Sequence, residues 1–211
     1  MDTKAIKKEQ IRKQIIAASE IYRDELSGKV FLYVCGEYYF EVVFQIDRFK
    51  HLTGVNSFLS AHEFYNKATS STLSTGQFFF DESHTYKGAK KKLSCLSLLP
   101  TLTNNLVCVV RDMSTISLTY KIGVTNLDFT IGLTENYDLN GNKVNNWFLP
   151  RTLRVRDKAI ENSADAEFID FIFAKDASKD MYSKITYFDK SKKPPTIIKN
   201  FLSGDLIELL Y

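Results

Sequence analysis

The sequence predicts an α+β domain: a central antiparallel β-sheet with packed helices and a long N-terminal helix. Three observations predict it. Apolar side chains recur at helical spacing through the first 26 residues. Residues 29–46 and 106–154 carry β-branched and aromatic runs punctuated by turn signals. The helical patterns lead and the main run of strands follows, which is the α+β order rather than a βαβ alternation.

Taken in order, residues 3–26 read as one amphipathic helix. Ile11, Ile15, Ala18, Tyr22 and Leu26 form its apolar stripe, and Gly28 stops it. Lys29–Cys35 and Tyr38–Ile46 form a hairpin around Gly36-Glu37. Arg48–Val55 is a short element ending near Gly54, and Ser57–Ser70 reads as a helix N-capped by Ser57. Residues 84–99 give a third helix, basic in its first half and apolar in its second, closed by Pro100. The period then shortens. Leu106–Arg111, Ser114–Ile122, Asp128–Thr134 and Trp147–Arg154 read as a meander, with an Asn-rich loop at Asn136–Asn146 carrying the Asn140-Gly141 turn signal. Glu167–Ala174 and Lys184–Phe188 add strands. The predicted division is 1–28 as a helix packed on the domain, 29–189 as the main domain, and 190–211 as a linker and docked tail.

The chain has 211 residues, 44% hydrophobic and 25% charged, with a formal charge of +3. A chain of this length buries roughly 70% of its unfolded surface, enough to fold without metal or disulfides. The near balance of charge excludes a histone-like polycation and leaves room for a local basic patch. Asp2–Lys13 is charged where a signal peptide would be apolar, and no apolar run reaches membrane-spanning length. Cys35, Cys95 and Cys108 are odd in number and sit in apolar segments, so they read as buried thiols of a cytoplasmic protein. There is no HExxH, no paired Cys-x-x-Cys, no G-x-x-x-x-G-K and no G-x-S-x-G. No cofactor or metal is expected. Asp165, Glu167 and Asp170 lie close in sequence and read as surface acids at a strand start.

The element Phe49-Lys50-His51-Leu52-Thr53-Gly54 stands out. It is followed by a helix with Phe64-Tyr65, a Lys-rich helix within Thr85–Leu99, and a meander ending in Pro150-Arg151-Thr152-Leu153. This succession resembles the phage- and mobile-element-borne barnase/EndoU/colicin/RelE-like nucleases over about residues 29–175. The resemblance implies a metal-independent ribonuclease. In such enzymes the 2′-hydroxyl attacks the adjacent phosphate and leaves a 2′,3′-cyclic phosphate. The protein then supplies a base, an acid and cations for the added negative charge. On that reading His51, Lys87, Lys92 and Thr152 are the catalytic candidates, while Thr53, Lys91, Arg151 and Arg154 are the substrate-binding ones. RNA is the expected partner. General likeness in size and composition to small proteins of mobile elements extends the expectation to an anti-CRISPR that truncates the guide RNA of a type II Cas effector. The alternatives are a toxin-type ribonuclease and a non-enzymatic binder that occludes such an effector through a charged face.

Each residue also has a plain structural reading. His51 fits a packed histidine bonded to a backbone carbonyl. The Lys90–Lys92 run fits a solvated helix face, and Arg151–Arg156 an exposed strand of alternating charge. Thr53 fits a turn cap, and His62 and His84 fit surface or helix-end positions.

Overall fold

The N-terminal stripe folds as α1 (Thr3–Ile21), continued by one π-helical turn over Tyr22–Leu26. The computed structural model describes residues 3–114, 119–156 and 164–211. Ile11, Ile15, Ala18, Tyr22 and Leu26 are all at most 1% exposed, as the stripe requires. The wider turn keeps Tyr22 and Leu26 in line with Ile11 and Ile15, although most of the spacings are four residues. Gly28 reverses the chain at φ +76°, in the left-handed region. Tyr22 then does positional work. Its hydroxyl donates to the Gln45 carbonyl at 2.8 Å, and its ring packs edge-on against Phe49 at 5.3 Å.

The chain next forms β1 (Lys29–Cys35), β2 (Tyr38–Val43), α2 (Ile46–Thr53), β3 (Asn56–Ser57), α3 (Ala61–Thr69) and β4 (Phe78–Phe79). It continues through α4 (Tyr86–Leu96), α5 (Thr101–Asn104), β5 (Cys108–Ser114), β6 (Thr119–Thr125), β7 (Phe129–Tyr137) and β8 (Lys143–Val155). Last come β9 (Ala164–Phe168), β10 (Phe171–Asp176), β11 (Lys184–Phe188), a 3-10 turn at Thr196–Phe201 and α6 (Gly204–Leu210). Nine strands make one sheet in the order β11-β10-β1-β2-β8-β7-β6-β5-β9, and β3 and β4 pair separately.

Several boundaries differ from the sequence expectation, each for a local reason. The helix expected from Ser57 begins at Ala61, because Ser60 and Glu63 form a reciprocal capping box. Ser57 instead sits in β3. The Lys-rich helix ends at Leu96, short of Pro100, and α5 follows. The strand expected over Ser114–Ile122 divides between β5 and β6, and its positions 115–118 lie outside the described residues. The Asn-rich loop shrinks to a turn in which the Asp138 carboxylate accepts from the backbone of Asn140 and Asn142, letting β8 start at Lys143. Glu167–Ala174 divides into β9 and β10.

The sheet is mixed rather than purely antiparallel. Every pair is antiparallel except β2 with β8, which run parallel through Glu41↔Trp147 and Val42↔Phe148. β9 borders β5 while β10 borders β1, and only two residues separate them. The sheet therefore curls until its far edge returns to β1. The joint is polar. The Asp170 backbone N–H donates to the Val34 carbonyl at 2.8 Å, the Cys35 thiol donates to Glu167 at 3.2 Å, and the Arg111 guanidinium lies 4.3 Å from the centre of the Tyr38 ring. Asp170 is no surface acid. It is 3% exposed, accepts from the Gly36 backbone N–H at 2.8 Å and pairs with Lys192 at 2.7 Å.

β1 is apolar on both faces, as its unbroken run KVFLYVC suggests. Phe31 and Tyr33 join the main core with α1, α2, α3 and α4, through Ile15, Phe49, Phe64 and Leu93. Val30, Leu32 and Val34 face the other way and are covered by Tyr182, Ile198, Leu202 and Leu206 from the C-terminal segment. The tail thus packs on that face of the sheet. Among the described residues, no helix is long and apolar enough to cross a membrane.

Candidate active site

The site is built where α2 ends against α4. Phe49 and Leu52 anchor the inner face of α2, which turns Arg48, Lys50 and His51 away from the core. Gly54 terminates the helix at φ +76° and lies directly under α4. A Cβ there would stand 2.8 Å from Lys92 Cδ and 3.3 Å from Ala89 Cα. Only glycine combines this turn with this approach, so Gly54 sets how close Lys92 comes to His51. α4 is itself N-capped by Thr85, whose hydroxyl oxygen accepts from the Gly88 N–H at 3.1 Å.

Between these elements lies a cleft of about 300 Å³ lined by His51, Lys50, Lys92, Asn56, Thr85 and His84, among others. Burial in it pushes the His51 imidazole below its ordinary pKa, and the charges of Arg151, Lys50 and Arg48 push the same way. Lys92 is half-buried. Burial, assisted by Arg154, pushes its ammonium down to about 8. His84 faces the same cleft. The Asn56 side-chain amide donates to Asp81 at 3.0 Å, and Asp81 accepts from the His84 backbone at 2.6 Å and lies 3.1 Å from its Nδ1. These bonds, led by that from Asn56, hold the Asp81 carboxyl down at about 2. An ionised carboxylate only accepts, so Nδ1 is the donor to it and His84 is fixed in orientation.

A second depression of about 450 Å³ takes in Arg48 and Arg151 along with Phe148, Tyr120 and Glu135. Arg151 sits at a bulge. Gly132 pairs with Thr152 and Leu133 with Pro150, so Arg151 has no residue opposite it and leaves the ladder.

The eight residues singled out from sequence separate into groups. His51 and Lys92 share the cleft. Arg151 and Arg154 come from β8, and their charges act on His51 and Lys92 respectively. Lys91 is exposed and borders another depression with Cys95 and Arg156. Lys87 is exposed on the flank of α4. Two threonines are packing residues in this structure. Thr53 is fully buried, its hydroxyl donated to the Lys50 carbonyl at 2.6 Å. Thr152 is 7% exposed, its methyl filling the space a side chain at Gly132 would need. His84, Asp81, Asn56, Arg48 and Glu135 were not legible as site residues. The Asp81-x-x-His84 spacing was the one local signal, and nothing in sequence ties it to Asn56. Among the described residues, no group of three or more His, Cys, Asp or Glu is placed to hold a metal ion.

Imidazoles beside phosphate-matching cations, on a helix-backed curled sheet, are the equipment of a nuclease. The family model described as phage-Barnase-EndoU-ColicinE5/D-RelE like nuclease4 matches residues 14–191, and the chain belongs to that family. It is a nuclease of the barnase/EndoU-like type, and its substrate is nucleic acid. No curated protein and no solved structure matches it.

Proposed function

We propose that the protein cleaves RNA without a metal ion, by attack of the ribose 2′-hydroxyl on the adjacent phosphate. One observation carries this reading: His51, His84 and Lys92 line a single cleft. His51, held below its ordinary pKa, is neutral at physiological pH and serves as the base for the 2′-hydroxyl. His84, held by Asp81 through Nδ1, acts in its doubly protonated form and gives its Nε2 proton to the leaving 5′-oxygen. Lys92 meets the negative charge that builds on the phosphate. Arg151 and Arg154, with Lys87 and Lys91 farther out, hold flanking phosphates. Thr53 and Thr152 support the scaffold.

The test uses purified protein, defined RNAs and EDTA. Cleavage should persist in EDTA and leave a 2′,3′-cyclic phosphate. His51→Ala should slow it about 10²–10⁴-fold with an unchanged melting curve. A folded His51→Ala protein of full activity rejects the base, and strict magnesium dependence rejects the mechanism. Guide RNA, free and loaded in a type II Cas effector, belongs among the substrates. Cleavage only of loaded guide assigns the anti-CRISPR role, and cleavage of free RNA the toxin-type role. Inhibition of the effector with no cleavage of any RNA assigns the occluding binder.

A further inference from the structure

We propose that the depression beside the cleft is a nucleobase subsite that accepts bases bearing an exocyclic amino group and rejects uracil. The inference rests on the RNA-cleavage reading for the identity of the ligand. Its position rests on geometry.

The depression and the cleft have separate linings, and two residues of the depression, Arg48 and Arg151, place it beside His51. Arg48 precedes His51 by three positions on α2, so the two are neighbours on one helix face. Arg151 lines the depression, yet its charge is felt at His51. A strand with its reacting phosphate at His51 therefore places the adjoining base here. At about 450 Å³ the depression is of the size that takes small molecules. Its walls suit a flat heterocycle. Phe148 and Tyr120 supply ring surfaces, and the Arg48 and Arg151 guanidinium groups supply cationic planes that stack on bases.

Selectivity comes from Glu135. Its carboxylate accepts from the Tyr137 hydroxyl at 2.7 Å, from Lys143 at 3.1 Å and from Lys121 at 3.4 Å. Those partners, the Tyr137 hydroxyl first, hold it ionised down to about pH 2. A carboxylate has about four acceptor positions, and three donors leave one for a ligand. The side chain is 18% exposed, so that position is reachable. Cytosine offers an amino group there, which is the pairing carboxylates make with that base. Uracil has a carbonyl oxygen in the same place, and two acceptors repel.

Cytosine and uracil share a ring size, so comparing them isolates the amino group. Short 2′-O-methyl oligonucleotides of cytidine and of uridine cannot be cleaved by 2′-hydroxyl attack, and their binding is read by fluorescence anisotropy. The cytidine oligomer should bind about tenfold more tightly. Glu135→Gln, checked by its melting curve, should shrink the ratio to about twofold or less, because the amide offers a donor as well as an acceptor. A wild-type ratio within about twofold overturns the subsite whatever the variant does. So does a large ratio that a well-folded Glu135→Gln leaves unchanged. Cleavage of ordinary RNA is scored separately. Preference without cleavage supports the subsite and rejects the catalytic reading, and cleavage without preference does the reverse.

Discussion

Replacing Gly54 with alanine tests how the site is held together. The substitution forces a side chain into left-handed backbone at φ +76°, which costs about 1–2 kcal/mol for an L-residue. It also drives the new Cβ to 2.8 Å from Lys92 Cδ and 3.3 Å from Ala89 Cα. The lysine stem can swing aside, but the Ala89 backbone belongs to a packed helix and gives way only by parting α4 from α2. Overpacking of this kind costs about 1–3 kcal/mol. Together the two effects lower stability by about 2–5 kcal/mol, or about 4–20 °C in melting temperature for a chain of this size. Thermal melts by circular dichroism measure the stability loss. RNA cleavage measures the displacement of Lys92, and should fall at least tenfold in the folded fraction. Combining Gly54→Ala with Lys92→Ala removes one of the two clashes, so their effects on stability should fail to add by about 0.5 kcal/mol or more. A melting temperature within about 1 °C of wild type, or strict additivity, refutes the account of Gly54 as the spacer between the helices.

Three further outcomes follow from the same geometry. Lys92 is a cation below its pKa of about 8 and neutral above it, so cleavage should decline as pH rises through about 8. In Lys92→Arg the part of that decline centred near 8 should vanish, because the guanidinium stays charged, leaving only what the loss of the His84 proton contributes. The acid limb should lie below the ordinary histidine value, since the depressed pKa keeps His51 neutral farther down, and pH–rate profiles check both limbs. Deleting residues 1–26 removes five apolar side chains that are at most 1% exposed, at about 1.5–3 kcal/mol each for the larger ones, and should abolish cooperative unfolding in a denaturant titration. Lys87→Gln and Lys91→Gln should each flatten the log–log salt dependence of RNA affinity by about 0.7, and an unchanged slope would make them plain surface lysines.

The sequence carried the α1 stripe, the β1–β2 hairpin and the docking tail because each rests on local periodicity. It did not carry the direction in which β2 meets β8, since two strands about a hundred residues apart leave no local trace of their mutual orientation. The candidate site divides the same way. His51 and Lys92 stood out through the resemblance, His51 in the Phe49–Gly54 element and Lys92 in the basic half of the Lys-rich helix. Thr152 and Arg151 are adjacent letters, and only the bulge at Gly132 determines that one packs and the other leaves the ladder. His84 reads as a surface or helix-end residue until Asp81 and Asn56 fix it, and the Asn56–Asp81 bond spans 25 positions.

The helices of the cleft are inserted between the β1–β2 hairpin and the meander, and the arginines arrive on β8, near the meander's end. At ~5–20 residues per second, synthesis places Arg151 some 5–20 s behind His51. The nascent chain therefore carries its imidazole long before it holds Arg151 and Arg154. Until β8 is made and pairs into the sheet, the helices of the cleft are present without the two arginines whose charges act on His51 and Lys92.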